Sequence, residues 1–583
     1  MKKTAALLLV LALLLSACGF SGRDGSIGEE LGKLFESAEG SDRPQSSNGG
    51  ETHSATGAET PSATGSESPA ESSDAQNGTD TAAVAPGAPK ILIVDYYEQR
   101  YDYDLNVNFG YGRMPLVYCG DQVGVGGYDA YMEVRDDEAY PELAAALRER
   151  SERNIVSMQQ SLDNIESYAR EDYGYGSYDG ADDYNLVYYT VTNAWLSRAD
   201  GDIVSIRCEY GSFAGGPHPN SGYYGMNFDS KTGKELSIGD ILTDVGRERL
   251  PGIFEAEMDR TNPYFRQALL VDSVSEEIAR WIDEGSLRFV VDYSGVTILV
   301  SQYELAAYAA GPLFVKIRFD EYPELFADEY VFHGGDWVTG MPQLGGTSVY
   351  NGYDSLTFDT PYGSRELSIR FSDDYYSYGG TSLSIELDGA VWTSGDDFYS
   401  YSIKPYLICR GGEYYLYLEH HMPNDWPALY VFDLTGAEPR LLGELYEAPG
   451  SNVLTDPDCF FLSTRSYVMS TYTVERRYRI ADSGPEKGMP QPLEDMYYAT
   501  TAPVLTLKED FVMTELTSGG EHDVSVPRGT RLRFYRTDND SIVELCDDSG
   551  RVYRVSYDPG EDYLGRVSGR KLEEIFDGTM FAG

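Results

Sequence analysis

Between residues 141 and 170, apolar side chains return at helical steps. Leu143, Leu147, Ile155, Met158, Leu162 and Ile165 lie three, four or eight positions apart, with charged residues between them. The spacing predicts one long amphipathic helix, about 45 Å if unbroken at ~1.5 Å per residue. Around it the period shortens to two. Residues 91–97 and 128–134 read as strands ahead of the helix. Residues 184–197 and 203–210 read as a hairpin after it, turned at Arg198-Ala199-Asp200-Gly201-Asp202. A second pair, 223–228 and 235–238, flanks Ser230-Lys231-Thr232-Gly233. Helices follow over 247–260 and from the capping-box pattern Ser273-Val274-Ser275-Glu276 to about residue 283. A hairpin over 287–292 and 296–300 and a strand over 313–319 close the stretch. Strands, a long helix, strands, helices and strands in that order predict an α+β unit over residues 90–330. Its expected form is an antiparallel sheet with a long helix, not an alternating parallel array.

From 331 to 500 helical periodicity almost vanishes. Short strands at 367–371, 382–387, 414–419, 428–434 and 474–480, with turn signals between them, predict an all-β domain. A sandwich, a barrel and a few propeller blades all fit. At ~40–45 residues per blade the stretch holds only about four, so a full propeller is the less favoured form. Residues 501–583 hold Val526-Pro527-Arg528-Gly529 and a hairpin, 541–546 with 551–557, about the turn Asp547-Asp548-Ser549-Gly550. This strand spacing resembles a small SH3-like β-barrel, a family whose modules often dock to cell walls.

Ahead of the folded pattern, residues 19–89 are mostly Ser, Thr, Gly, Glu, Ala and Pro, with near-repeats such as Ala58-Glu59-Thr60-Pro61. Such a stretch cannot bury a core and reads as a disordered linker. A coil of about 70 residues spans roughly 45–50 Å. Residues 1–18 place Lys2 and Lys3 before an apolar run, 7–15, that ends in Leu15-Ser16-Ala17-Cys18. This order resembles the bacterial lipobox. The resemblance implies lipid attachment at Cys18, removal of the preceding peptide, and an extracytoplasmic protein anchored to the cell membrane by acyl chains, each buried CH₂ adding ~0.8 kcal/mol. The apolar run is short of the about 20 residues a span needs. The next candidate, 295–317, is interrupted by Gln302, Glu304 and Lys316.

Charge narrows the partners. Asp plus Glu is 95 against 45 for Lys plus Arg, a net charge of −50. A surface of that sign repels phosphate backbones, which excludes nucleic acid, and attracts cationic proteins and divalent ions. The five cysteines after Cys18 are Cys119, Cys208, Cys409, Cys459 and Cys546. Odd in number and widely spaced, they form no disulfide framework, and a Cys119–Cys208 bridge stays open. Tyr outnumbers Phe 48 to 22. That suits strands with wet edges, and also stacking on sugar rings.

Three blocks carry a family resemblance: Gly215-Gly216-Pro217-His218-Pro219-Asn220, then Asn227-Phe228-Asp229-Ser230-Lys231-Thr232-Gly233-Lys234-Glu235-Leu236, then Tyr303-Glu304-Leu305-Ala306-Ala307-Tyr308-Ala309-Ala310-Gly311-Pro312. In this order they resemble the tandem domains of unknown function in RsiV-type proteins, over residues 90–330. In that family the domains form an ectodomain that binds lysozyme, and the same pair precedes the catalytic domain of a peptidoglycan deacetylase. The resemblance implies an α+β ectodomain and recognition of lysozyme or of the wall polymer. It does not imply sigma-factor binding, because a lipobox and linker stand where that family has a cytoplasmic segment and a span.

The candidate binding loop is therefore Gly215, Gly216, His218 and Asn220, with Tyr303, Glu304, Tyr308 and Gly311. Pro217 and Pro219 hold their neighbours extended while the glycines permit close backbone approach. As a lone histidine, His218 reads as a loop lock. His420 and His421 follow Glu419, but adjacent strand residues face opposite ways and would not share a metal. Asp538-Asn539-Asp540 lacks the glycine and closing Glu of a calcium loop. No Gly-x-Ser-x-Gly elbow, phosphate loop or HExxH occurs. No catalytic residue, metal or cofactor is expected. The expected function is a lipid-anchored surface protein of the envelope that binds lysozyme or a similar cationic wall hydrolase. A peptidoglycan-binding adaptor is the alternative, and an enzyme with chemistry in the Asp/Tyr-rich middle domain the third reading.

Overall fold

The computed structural model describes residues 87–100, 124–135, 138–174, 187–214, 219–345, 353–360, 363–374, 380–395, 398, 400, 402–422, 426–560 and 565–581. Cys18, the linker up to residue 86, Cys119, and Gly215, Gly216 and His218 of the candidate loop lie outside these residues.

The first sheet runs β1 (Ile91–Arg100), β2 (Gly124–Val134), β3 (Val187–Ala199), β4 (Ile203–Phe213) and β5 (Asn220–Asp229), neighbours in space in that order. Helix α1 (Pro141–Gly174) connects β2 to β3. It buries Leu143, Leu147, Met158, Leu162 and Ile165, five of the six residues whose spacing predicts it. The sheet departs from the antiparallel expectation at one place. β2 and β3 run parallel, from Gly124 opposite Val187 to Tyr128 opposite Val191. A long helix returns the chain to the end from which β2 started, so the next strand enters in the same direction.

A second departure follows β5. Residues 235–238 make one bridge, Phe228 to Glu235, instead of a strand. The Ser237 amide and hydroxyl both donate to Asp240 Oδ2, at 2.9 and 2.7 Å, and this local capping starts the one-turn helix α2 (Ile238–Ile241). Helices α3 (Asp244–Thr261) and α4 (Val274–Glu284) then cover a three-stranded sheet, β6 (Phe289–Val291), β7 (Gly295–Val300) and β8 (Leu313–Arg318). That sheet leans on β5 at Gly225, where an added Cβ would stand 1.8 Å from the Phe289 carbonyl oxygen.

Next come β9 (Trp337–Gly340), β10 (Leu344–Gly345), β11 (Tyr353–Thr360), β12 (Gly363–Asp374), β13 (Gly380–Leu387) and β14 (Ala390–Thr393). After them are β15 (Ser402–Arg410), β16 (Glu413–Met422), β17 (Trp426–Asp433) and β18 (Arg440–Leu445). Strands β11–β14 form one antiparallel sheet, and β9, β10 and β15–β18 another. Leu367, Ile369, Phe371, Leu383 and Ile385 from the first share a core with Ile403, Leu407, Leu416, Leu418 and Phe432 from the second. Two sheets packed through alternating apolar residues make a β-sandwich.

The last sheet has 13 strands. It includes β19 (Phe460–Ser466), β20 (Tyr472–Ile480), β21 (Pro490–Pro492), β22 (Tyr497–Thr501), β23 (Val504–Leu507), β24 (Phe511–Thr517), β25 (Gly520–Val526), β26 (Arg531–Thr537), β27 (Ile542–Asp547) and β28 (Val552–Asp558). Because β20 pairs with β22 and β22 with β26, this sheet crosses residue 500 without a break. None of the sheets among the described residues closes on itself. One apolar cluster joins all three stretches, with Ile91 and Leu147, Tyr406 and Leu429, and Phe460 and Ile480 among its members.

Candidate functional site

The turn after β7 shows how two of the predicted segments meet. Arg288 Nη1 and the Ser301 amide donate to the two oxygens of Glu304, at 2.5 and 2.6 Å. Ser301 Oγ in turn accepts from the Tyr223 amide at 3.0 Å, which ties the turn to β5. Glu304 is thereby engaged in holding the turn. The constraint forces Tyr303 into the left-handed region at φ +69°, where a bulky residue is strained, and leaves its ring 55% exposed. The Tyr303 and Tyr308 rings stand 5.5 Å apart, tilted by 37°. Tyr308 donates its hydroxyl to the Pro219 carbonyl at 3.4 Å, and Ser221 Oγ donates to Gln302 at 2.9 Å. Asn220 begins β5 opposite Ser212. Gly311, at φ +73°, ends the 3-10 turn Tyr308–Ala310. Residues 219–221 and 302–311 are thus brought together.

Two further rings extend this surface. Burial first, and Tyr308 next, raise the Tyr189 hydroxyl above its ordinary range. Tyr189 stands 6.3 Å from Phe213. The result is a tyrosine-rich patch where β4 ends and β5 begins. Its rings offer apolar faces with hydroxyl tips, which suits recognition of a surface more than bond-making.

A different group of polar side chains lies in the interior. Asp129 on β2 is buried, accepts from the Ala130 amide at 2.7 Å and from Thr192 Oγ1 at 3.2 Å, and has its carboxyl pushed up to about 7, chiefly by burial. Beside it burial raises the Cys208 thiol to about 12 and holds the Tyr224 hydroxyl well above its ordinary value. A thiol so strongly protonated is a poor nucleophile. Cys208, Cys409, Cys459 and Cys546 carry no disulfide.

The third feature is a cavity of 420 Å³ at one end of the sandwich, lined by Thr360, Ser364, Arg365, Asp388, Tyr414 and Thr435 among others. Arg365 reaches across both sheets. Its Nε donates to Asp388 Oδ2 at 2.5 Å, and its Nη1 donates to the carbonyls of Leu434 at 2.8 Å and Gly436 at 2.6 Å.

No protein-family model and no curated protein matches the chain. Solved structures similar to part of it include two from one domain family. One is a member of the DUF3298 family from Bacteroides fragilis, with 13% identity, covering 42% of this chain and 95% of that chain at a TM-score of 0.31. The other is a DUF3298 family protein from Pseudomonas aeruginosa, with 13% identity, covering 42% of this chain and 98% of that chain at a TM-score of 0.26. Both neighbours thus come from a domain family of unknown function.

Elsewhere the structure gives the sequence candidates plain duties. His420 is buried against Tyr430 at 4.6 Å and Phe398 at 5.6 Å. The side chain of His421 is outside the described residues. Asp538 Oδ1 accepts the amides of Asp540, Ser541 and Ile542, so it closes a turn. Among the described residues no group of three His, Cys, Asp or Glu could hold a metal ion. Tyr189, Arg365 and Asp388 escaped the sequence reading. The one available signal for the last pair was Asp388-Gly389, a hairpin-turn dipeptide that marks a strand end but no chemistry.

Proposed function

We propose that this chain is a lipid-anchored protein of the cell envelope, attached through Cys18, that captures a cationic protein of the lysozyme kind. The observation that carries the reading is the charge imbalance of 95 acidic against 45 basic residues. An excess of that size draws a cationic protein in by long-range attraction and speeds its docking. The exposed Tyr303 and its partner Tyr308 supply the kind of aromatic anchor on which binding energy concentrates. The lipobox and the linker of residues 19–89 support a surface post outside the membrane. The same reading takes the strands after residue 501, with their SH3-like spacing, as the part that docks to the wall.

The test uses the full chain in detergent, passed over immobilised lysozyme at low and at high salt. The expected result is retention at low salt that is lost at high salt, and weakened by Tyr308→Ala and by Tyr303→Asn. The second variant keeps a residue that tolerates the left-handed backbone while removing the ring. Absence of retention at low salt, or retention by insoluble peptidoglycan alone, would overturn the reading. Mass spectrometry of the native N-terminus checks the anchor: diacylglycerol on Cys18 is expected, and an unmodified thiol there would refute it.

A further inference from the structure

The outer face of the last sheet departs from the charge of the rest of the chain. Along β26 the buried Leu532 and Phe534 alternate with the exposed Arg531, Arg533 and Tyr535. Residues paired across strands share a face, so Thr506 and Val504 of β23 lie beside Arg531 and Arg533, and Cys546 of β27 flanks Arg533. A register shift between Phe534 and Arg536 turns Arg536 to this face as well, opposite Glu544, which in turn stands opposite Arg554 of β28. Arg531, Arg533, Arg536 and Arg554 thus occupy one surface. Glu544 lies beneath the last two. Its side chain is 1% exposed and accepts Arg536 Nε and Arg554 Nη2, each at 2.8 Å. The acid is hidden while the two guanidinium groups, 31% and 33% exposed, present their outer edges. The acids at the rim are engaged: Asp548 accepts Arg533 Nη2 at 2.8 Å, Glu521 accepts Arg554 Nη1 at 2.6 Å, Asp510 accepts the Arg528 amide at 2.8 Å, and Asp577 faces Lys508 at 3.4 Å. Arg531, and Arg528 in the turn ahead of it, have no acidic partner among the described residues. Two rings complete the surface. Tyr498 and Tyr535 meet edge to face at 5.9 Å, and the Arg536 guanidinium stands 5.1 Å from the Tyr535 ring centre.

These groups select a class of ligand. The chain's net charge of −50 slows the approach of an anion, but contact is decided within the screening length of ~8 Å, where the arginines stand. A guanidinium pairs with a carboxylate through two parallel hydrogen bonds. Arg531 and Arg533 are two residues apart on a strand, ~6.8 Å at ~3.4 Å per residue, so they meet charges repeated along a chain better than a single small ion. The exposed Tyr535 ring beside them offers an apolar face on which a sugar ring can pack. A ligand with charge and no rings leaves Tyr535 unused, and one with rings and no charge leaves Arg531 unpaired. We propose that the outer face of β26 binds an acidic polysaccharide, a chain of sugar rings bearing carboxylates, through Arg531, Arg533 and Tyr535. The proposal rests on the reading of the strands after residue 501 as the part that docks to the wall, and it gives that part a ligand class.

Arg536 and Arg554 cover the buried Glu544, so the test leaves them intact. The full chain in detergent is titrated by calorimetry with oligogalacturonate, with a cello-oligosaccharide of equal length that has the rings without the charge, and with polyphosphate, which has the charge without the rings. Oligogalacturonate should bind, and each of the other two on the order of tenfold more weakly. Arg531→Gln and Arg533→Gln together should lose on the order of tenfold in affinity for oligogalacturonate. Tyr535→Thr should weaken oligogalacturonate and leave polyphosphate as it was. Arg148→Gln, at an exposed position of α1, changes the net charge in the same sense and should bind as the parent does. Melting temperatures should match throughout, because the exposed groups removed contribute little to stability. No binding of oligogalacturonate, polyphosphate bound as tightly, unchanged binding in the double variant, or an equal loss in Arg148→Gln would overturn the proposal. Loss of lysozyme retention in the parent would count against capture alone, and failure of oligogalacturonate with lysozyme still retained would count against this inference alone.

Discussion

Two aspartates show how the same side chain works in opposite senses. Asp129 keeps its proton up to about pH 7 when folded, against 3.8 ordinarily, because burial penalises the charge more than the Ala130 amide, Thr192 and Arg150 restore it, while Asp95 adds to the rise. Between those values the folded chain binds more protons than the unfolded one, so stability falls as pH rises through the window and stays lower above it. Asp129→Asn should therefore raise the melting temperature at about pH 8 and change it little at about pH 4. The gain is on the order of 4 kcal/mol at most, at ~1.4 kcal/mol per unit. Thermal melts of both proteins across that range check it, and parallel curves would show that Asp129 is ionised throughout. Asp547 is the converse. Burial alone would raise it, yet Ser549 and Tyr553 hydroxyls and the Ser549 and Arg551 amides hold its carboxyl well below the ordinary range. Its contribution is present above the ordinary carboxylate range and is lost as pH falls through the depressed value. Near neutral pH, Asp547→Asn should cost about 1.5–3 kcal/mol in denaturant unfolding, the worth of charge-assisted bonds at a buried turn. The difference from the parent should shrink in strong acid.

At the scale of elements, one arginine fastens the first sheet to the last. Arg135 follows β2 and places its guanidinium 3.8 Å from the Phe461 ring centre, donates to both oxygens of Glu475 at 2.6 and 3.1 Å, and reaches Asn452 at 2.6 Å. Arg135→Ala should cost about 1.5–3 kcal/mol, from the lost charged bonds and the buried carboxylate of Glu475 left without its cation. It should also split a single calorimetric transition into two as the sheets uncouple. One sharp transition in the variant would show that the shared apolar cluster is sufficient to couple them. No motif marks this clasp, because its members are 317 and 340 residues apart. What could be read ahead was local. Helix α1 follows from its own spacing, and the hairpins of β3–β4 and β27–β28 from their turns. The parallel β2–β3 pair and the Tyr498–Arg536 pairing across residue 500 were not legible, since long-range register leaves no local pattern. The candidate site divides the same way. Tyr303 and Tyr308 were found by motif and do meet each other, and Tyr308 meets Pro219, whereas the Arg365 contact with Leu434 joins residues 69 apart and had no signal.

Over the whole molecule, the charge of −50 is not spread evenly through pairs. Many of its arginines are shared by two acids: Arg266 between Glu255 and Asp259, Arg280 between Glu277 and Glu284, Arg410 between Asp336 and Asp458, Arg554 between Glu521 and Glu544. Sharing satisfies local geometry but cannot cancel the excess, and the exposed pairs among them, those of Arg266 and Arg280, are worth only ~0–1 kcal/mol each. Self-repulsion among the remaining acids should then dominate the response of the fold to salt. Salt shortens the screening length to ~8 Å at physiological strength, which weakens repulsion between distant acids more than attraction within a contact pair. The melting temperature should rise with added salt and level off, while retention on a cationic partner should fall over the same range. The opposite signs are the useful part. A specific ion effect or a change in the fold would move both together, whereas one surface field stabilised by screening and disarmed by it must move them apart. Melts and lysozyme retention measured in the same salt series decide the matter, and a melting temperature that falls with salt would show that the shared arginine pairs outweigh the repulsion.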